Sequence, residues 1–105
     1  MSPTSYGTLF RLQLRPDIGA EALQAHLERW QRELGPRFPG SVLDLLMKVE
    51  GSNDEFLVLH LFRSRQDYDA MAGDTDQDRW YHDLVAMLTA PPTFTDVTAL
   101  WKVSA

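Results

Sequence analysis

The chain has 105 residues, 44% of them hydrophobic, which is enough for a single domain spanning 1–105 with one modest core. Ten Lys and Arg stand against fifteen Asp and Glu, a formal charge of −5. An acidic surface repels nucleic-acid phosphates and anionic lipid head groups, so neither is an expected partner. The lack of cysteine excludes disulfides, thiolate catalysis and Cys-ligated zinc.

Residues 1–6 carry neither a basic n-region nor an apolar h-region, and no apolar run approaches membrane length, so a soluble cytoplasmic protein is expected. Alternation over residues 8–14 predicts a first strand, with Phe10, Leu12 and Leu14 on one side and Leu9, Arg11 and Gln13 on the other. Pro16 ends it, since proline offers no ladder donor. Asp17 is the candidate cap of a helix whose Leu23, Leu27, Trp30 and Leu34 form one apolar stripe. Gly35 with Pro36, then Pro39 with Gly40, close that helix.

Residues 42–49 read as a second strand, with Leu43, Leu45, Met47 and Val49 on one face and Asp44 and Lys48 sharing the other with Val42 and Leu46. The polar run 50–55 is a turn, so the second and third strands are expected to form an antiparallel hairpin. The third strand is apolar on both sides, with Phe56, Val58, His60 and Phe62 on one and Leu57, Leu59 and Leu61 on the other. A strand with one wet face alternates apolar with polar, so this one is expected to be covered twice. Ser64 with Asp67 three residues on marks a helix start, and that helix ends by Gly73. Thr75 with Asp78 suggests a further cap, ahead of a helix bearing Trp80, Tyr81, Leu84, Val85 and Leu88. Pro91 and Pro92 break it, and residues 94–103 form the last strand, with Val97, Ala99, Trp101 and Val103 in phase.

The order is β-α-β-β-α-β, an α+β, ferredoxin-like four-stranded antiparallel sheet with its helices on one face. The other face, which holds Leu57, Leu59 and Leu61, is left without helices. A bare apolar face of that kind marks an interface, and the simplest cover is a second copy, giving a homodimer packed sheet to sheet.

Residues 59–68 (LHLFRSRQDY), an apolar strand running into a serine-capped helix, resemble the signature of the antibiotic biosynthesis monooxygenase family. Pro39 with Gly40, and Pro91 with Pro92, match that family's layout. The resemblance implies the dimeric α+β barrel and a cofactor-free oxygenase acting on an aromatic or quinol-type molecule between sheet and helices. In the family's polyketide oxygenases an Asn, a Trp, a Tyr and an Arg touch the substrate. Those positions fall on Val58, Phe62, Tyr68 and His82, of which Tyr68 alone is identical. In the haem-degrading relatives the functional Asn, Trp and His fall near Phe10, on Met71 and on His82, so only the His is kept.

His60 shares a face with Phe56, Val58 and Phe62, and an imidazole desolvated there favours its neutral, base-competent form. The structural role open to it is that of a core histidine bonded to a neighbour. His82 follows Asp78 by four residues, a spacing that orients an imidazole or makes an ordinary surface pair. Tyr68 offers a hydrogen bond to a substrate oxygen, or docks the short helix through Met71 and Ala72. The tryptophans Trp30, Trp80 and Trp101 supply core area, or one of them walls a flat ligand, and His26 reads as exposed. Arg11, Gln13, Asp44 and Lys48 read as groups held in salt bridges.

The histidines share no metal-ligand spacing, so no metal is expected, and the resemblance implies that no cofactor is needed. The catalytic candidates are therefore His82 and His60, with Tyr68, Phe62 and Val58 as the substrate-binding set. The alternatives are a non-catalytic small-ligand-binding or assembly module on the same fold, and a haem-binding protein using His82.

Overall fold

The computed structural model describes residues 5–101. Strand β1 (Ser5–Gln13) leads to helix α1 (Ala20–Glu33), a 3-10 turn at Gly35–Arg37 and strand β2 (Ser41–Lys48). Strand β3 (Glu55–Phe62), helices α2 (Arg65–Ala72) and α3 (Thr75–Val85) and strand β4 (Thr93–Ala99) follow. The strands form one antiparallel sheet in the order β2-β3-β1-β4, the expected α+β, ferredoxin-like arrangement.

Register explains the two faces. Thr8, Phe10 and Leu12 stand opposite His60, Val58 and Phe56, and all six side chains are buried on the helix side. Leu23, Leu27, Trp30, Met71, Trp80 and Leu84 meet that face from the three helices. Burying each such side chain stabilises the fold by roughly 1.5–3 kcal/mol relative to exposure. On the opposite face, Leu45, Leu59 and Leu9 align as one row and Leu43, Leu61 and Gly7 as the next. Leu57 and Leu59 are half-buried there, and Leu45 is exposed.

Local signals fared unevenly. Ser64 caps α2 as expected, its hydroxyl accepting from the Asp67 N–H, and the Asp67 carboxylate accepts back from that hydroxyl. Asp17 does not cap α1. Gly19 occupies the cap without a side-chain bond, and Asp17 pairs with Arg15 instead. The cap of α3 is Asp74 rather than Thr75, its carboxylate accepting from the Asp76 and Gln77 N–H groups and from Arg37.

Strand β1 begins at Ser5, earlier than alternation suggested, and β4 stops at Ala99. Trp101 is consequently 83% exposed and is no core residue in this chain, while Val103 lies outside the described residues. His26 is not free in solvent. Its ring stacks on Trp80 at 4.5 Å, and the two residues exchange side-chain to carbonyl hydrogen bonds of 3.0 and 2.9 Å that clamp α1 to α3.

Arg11 pairs with Glu55, as its salt-bridge reading required. Gln13 bonds the Asp54 carboxylate at 2.9 Å, and Asp44 accepts from the Gln31 amide rather than from a cation. Gly51, at φ +83°, makes the β2–β3 turn in the left-handed region.

Candidate functional site

Between the helix side of β1, β3 and β4 and the helices α2 and α3 lies a cleft of about 330 Å³. Three strands contribute Thr8, Phe10, His60 and Phe94, and the helices contribute Tyr68, Met71, Ala72, Gln77, Asp78 and Tyr81. The sheet register assembles its wall, because Phe10 stands opposite Phe94 and their rings meet at 5.2 Å. Tyr81 closes on Phe94 at 5.8 Å. The result is a slot with aromatic sides and a few polar groups at fixed places, the usual composition of a small-molecule site.

His60 is buried at the back of the cleft, 8% exposed. Trp30 meets it edge-on at 4.7 Å and Phe62 lies 4.4 Å away. A register shift in β2 between Ser41 and Leu43 brings Ser41 level with Phe62, and the Ser41 hydroxyl bonds His60 Nε2 at 3.0 Å. Burial lowers the His60 pKa to about 4, so the imidazole is neutral at physiological pH. Tyr68 sits against Tyr6 and Phe62, at 5.4 and 5.8 Å. Burial chiefly, then the nearby charges of Asp96, Tyr6 and Asp69, raise its pKa, against a hydrogen bond with the Thr8 side chain. The phenol therefore stays protonated and able to donate.

The structure thus brings His60 and Tyr68 to one cavity, with Phe62 in contact with both rings. Phe62 and Val58 do not form its surface. Both are fully buried behind it, where they fix the neighbours that do. His82 stands apart. It is on the solvent side of α3 with its side chain 73% exposed, beside Asp78 at 3.5 Å, and it is not among the lining residues.

A haem implied by the family resemblance does not fit these residues. His82 faces solvent, and the Nε2 of His60 is already bonded to Ser41. Among the described residues no group of three His, Cys, Asp or Glu side chains is placed to hold a metal ion.

Phe10, Phe94, Tyr81 and Gln77 were not singled out by sequence. Phe10 and Phe94 become a pair only through the β1–β4 register. A larger groove, about 540 Å³, runs between α1 and β2 and is lined by Gln24, Glu28, Gln31, Ser41 and Asp44 with Leu27, Val42, Leu43 and Leu46. It offers carboxylates and amides but no aromatic wall, and it adjoins the cleft through the Ser41–His60 hydrogen bond.

No protein-family model and no curated protein matches the chain. Solved structures do match in fold. SnoaB, a cofactor-independent oxygenase from Streptomyces nogalater solved as a single-substitution variant, superposes with a TM-score of 0.77 at 14% identity, over 99% of this chain and 100% of its own. A protein provisionally assigned as an antibiotic biosynthesis monooxygenase from Caulobacter crescentus gives 0.77 at 15% identity, over 94% and 92%. A dimeric ferredoxin-like protein of unknown function from Jannaschia gives 0.66 at 19% identity, over 90% and 97%. At these identities the likeness is one of fold.

Proposed function

We propose that the protein is a small cofactor-free oxygenase that takes a planar aromatic or quinol-type molecule into the cleft between sheet and helices. The observation that carries this reading is a neutral, buried His60 at the back of an aromatic-walled slot that also holds the Tyr68 phenol. SnoaB, which shares the fold, is a cofactor-independent oxygenase, which supports the class of chemistry.

In such a reaction the substrate loses a proton and its carbanion or phenolate reduces dioxygen. His60 accepts the proton. Burial opposes the imidazolium, and the substrate anion left beside it offsets that cost. Tyr68 donates to a substrate oxygen, while Phe10, Tyr81 and Phe94 hold the rings and keep water out. His82 is left out of this assignment because its ring stands in solvent.

Oxygen uptake with anthrone or a hydroquinone tests the proposal. Turnover is expected to fall at least tenfold in His60→Phe and in Tyr68→Phe, a barrier rise of about 1.4 kcal/mol, and to be unchanged in His82→Ala. Absence of uptake by the wild-type protein, with retained binding of the same compounds, favours the second reading, a non-catalytic ligand-binding module. The replacement of the family's Asn and Trp donors by the fully buried Val58 and Phe62 is the observation on its side.

The apolar outer face of the sheet, where Leu43, Leu45, Met47, Leu57, Leu59 and Leu9 lie together, is proposed to pack on a second copy.

A further inference from the structure

We propose that Gln77 is a second hydrogen-bond donor of the cleft beside Tyr68, so that the site selects planar ligands carrying an acceptor oxygen, such as a quinone- or anthrone-type carbonyl. This rests on the reading of the cleft as the ligand site. Gln77 lines the cleft from the first turn of α3. Its amide oxygen accepts the Trp30 indole N–H. An indole nitrogen only donates, so the oxygen must face Trp30 and the amide cannot be turned over.

That leaves Nε2 with two N–H donors and no protein acceptor among the described residues. No described side-chain nitrogen or oxygen is both buried and unpartnered, so this nitrogen is open to solvent, on a residue that lines the cleft. The backbone is pinned as well, because the Gln77 N–H is held by the Asp74 carboxylate at 3.0 Å, and Arg37 holds Asp74. A donor fixed at both ends is preorganised and loses little freedom on binding. Trp30 also meets His60 edge-on at 4.7 Å, so one indole positions both polar groups.

The probes are 1,4-naphthoquinone and naphthalene, matched in ring system and differing in acceptor oxygens, with affinities measured by equilibrium dialysis. The readout is their affinity ratio, which a general loss of packing leaves unchanged. Wild-type protein is expected to prefer the quinone by about tenfold, the scale of one well-placed hydrogen bond. In Gln77→Leu the preference falls severalfold by the loss of that bond, what remains being the contribution of Tyr68. Gln77→Glu, which keeps the size and still accepts from Trp30, reverses it, and Trp30→Phe, which frees the amide, weakens it. An unchanged ratio in Gln77→Leu or Gln77→Glu, with naphthalene still bound, overturns the role of Gln77 and leaves the cleft reading intact. Failure of the wild-type protein to bind either probe overturns both together.

Discussion

Asp44 on β2 stands directly opposite His60 on β3, and burial drives their pKa values past one another, the carboxyl up to about 6 and the imidazole down to about 4. The usual order of an acid and a base is inverted, so a proton given to this pair rests on the carboxyl. Ser41, bonded to His60 Nε2, lines the groove that also contains Asp44. Under the proposed function, in which His60 takes a proton from the cleft, Asp44 is the neighbouring group of higher proton affinity.

The first consequence is a stability profile. The unfolded chain protonates His60 near its ordinary 6.5, while the native state resists until about 4. Between these values the unfolded state binds more protons, so stability is present above pH 6.5 and is lost as pH falls toward 4. The full loss is about 3 kcal/mol from a shift of this size. In His60→Phe that part of the acid limb is expected to vanish. Urea midpoints at pH 7 and pH 4.5 check it, and an equal drop in both proteins contradicts it.

Asp44 runs the other way. Its native carboxyl holds a proton up to about 6, whereas the unfolded chain releases it near 3.8. Between those values the native state binds more protons, so this residue lowers stability as pH rises through the window. Asp44→Asn keeps an acceptor for the Gln31 amide and removes the charge. The variant is expected to gain on the wild type at pH 7 and to show no gain below pH 4. A gain that is the same at both pH values would assign the effect to packing rather than to the charge.

Much of this was legible in the chain. The apolar helix-side residues of 56–62 announced the buried face of β3, and Ser64 with Asp67 announced α2, whereas Leu57 and Leu59 on the outer face are only half-buried in this chain. Strand phase pointed to His60 and the family resemblance to Tyr68, and both line the cleft. What escaped was set by contacts distant in sequence. Phe10 and Phe94 face each other only through register, and Gln77 becomes a site residue because an indole 47 positions away needs an acceptor. Trp101 was misplaced because alternation continues in the sequence after β-pairing ends, at the Ser5–Ala99 pair. Asp17 and Asp74 show that an acidic residue near a helix start is ambiguous by a few positions, and local turn geometry chooses.

The caps give a direct comparison. Asp74→Ala removes the acceptor for two α3 N–H groups and one of the two carboxylate partners of Arg37, and is expected to cost about 1–2 kcal/mol. Asp17→Ala leaves no N–H unpaired and loses only an exposed ion pair, so its effect is expected within about 0.5 kcal/mol. Thermal unfolding of the two variants side by side measures the difference. Equal losses would remove Asp74 from its assigned role.

The outer face of the sheet supports the last expectation. Leu45, Leu59 and Leu9 form one row across three strands, Leu43 and Leu61 flank it on one side, and Met47 and Leu57 on the other. At the margin Arg11 is paired with Glu55 and Gln13 with Asp54. An apolar centre with a satisfied polar edge is the make-up of a lasting interface, and face-to-face sheets about 10 Å apart bury such rows completely. Leu59 sits at the middle, so Leu59→Lys places a charge where the two copies meet while leaving the helix side untouched. Sedimentation at micromolar concentration is expected to give twice the chain mass for the wild type and a folded monomer for the variant. A wild-type monomer under those conditions refutes the sheet-to-sheet dimer, whatever the cleft on the other face is found to bind.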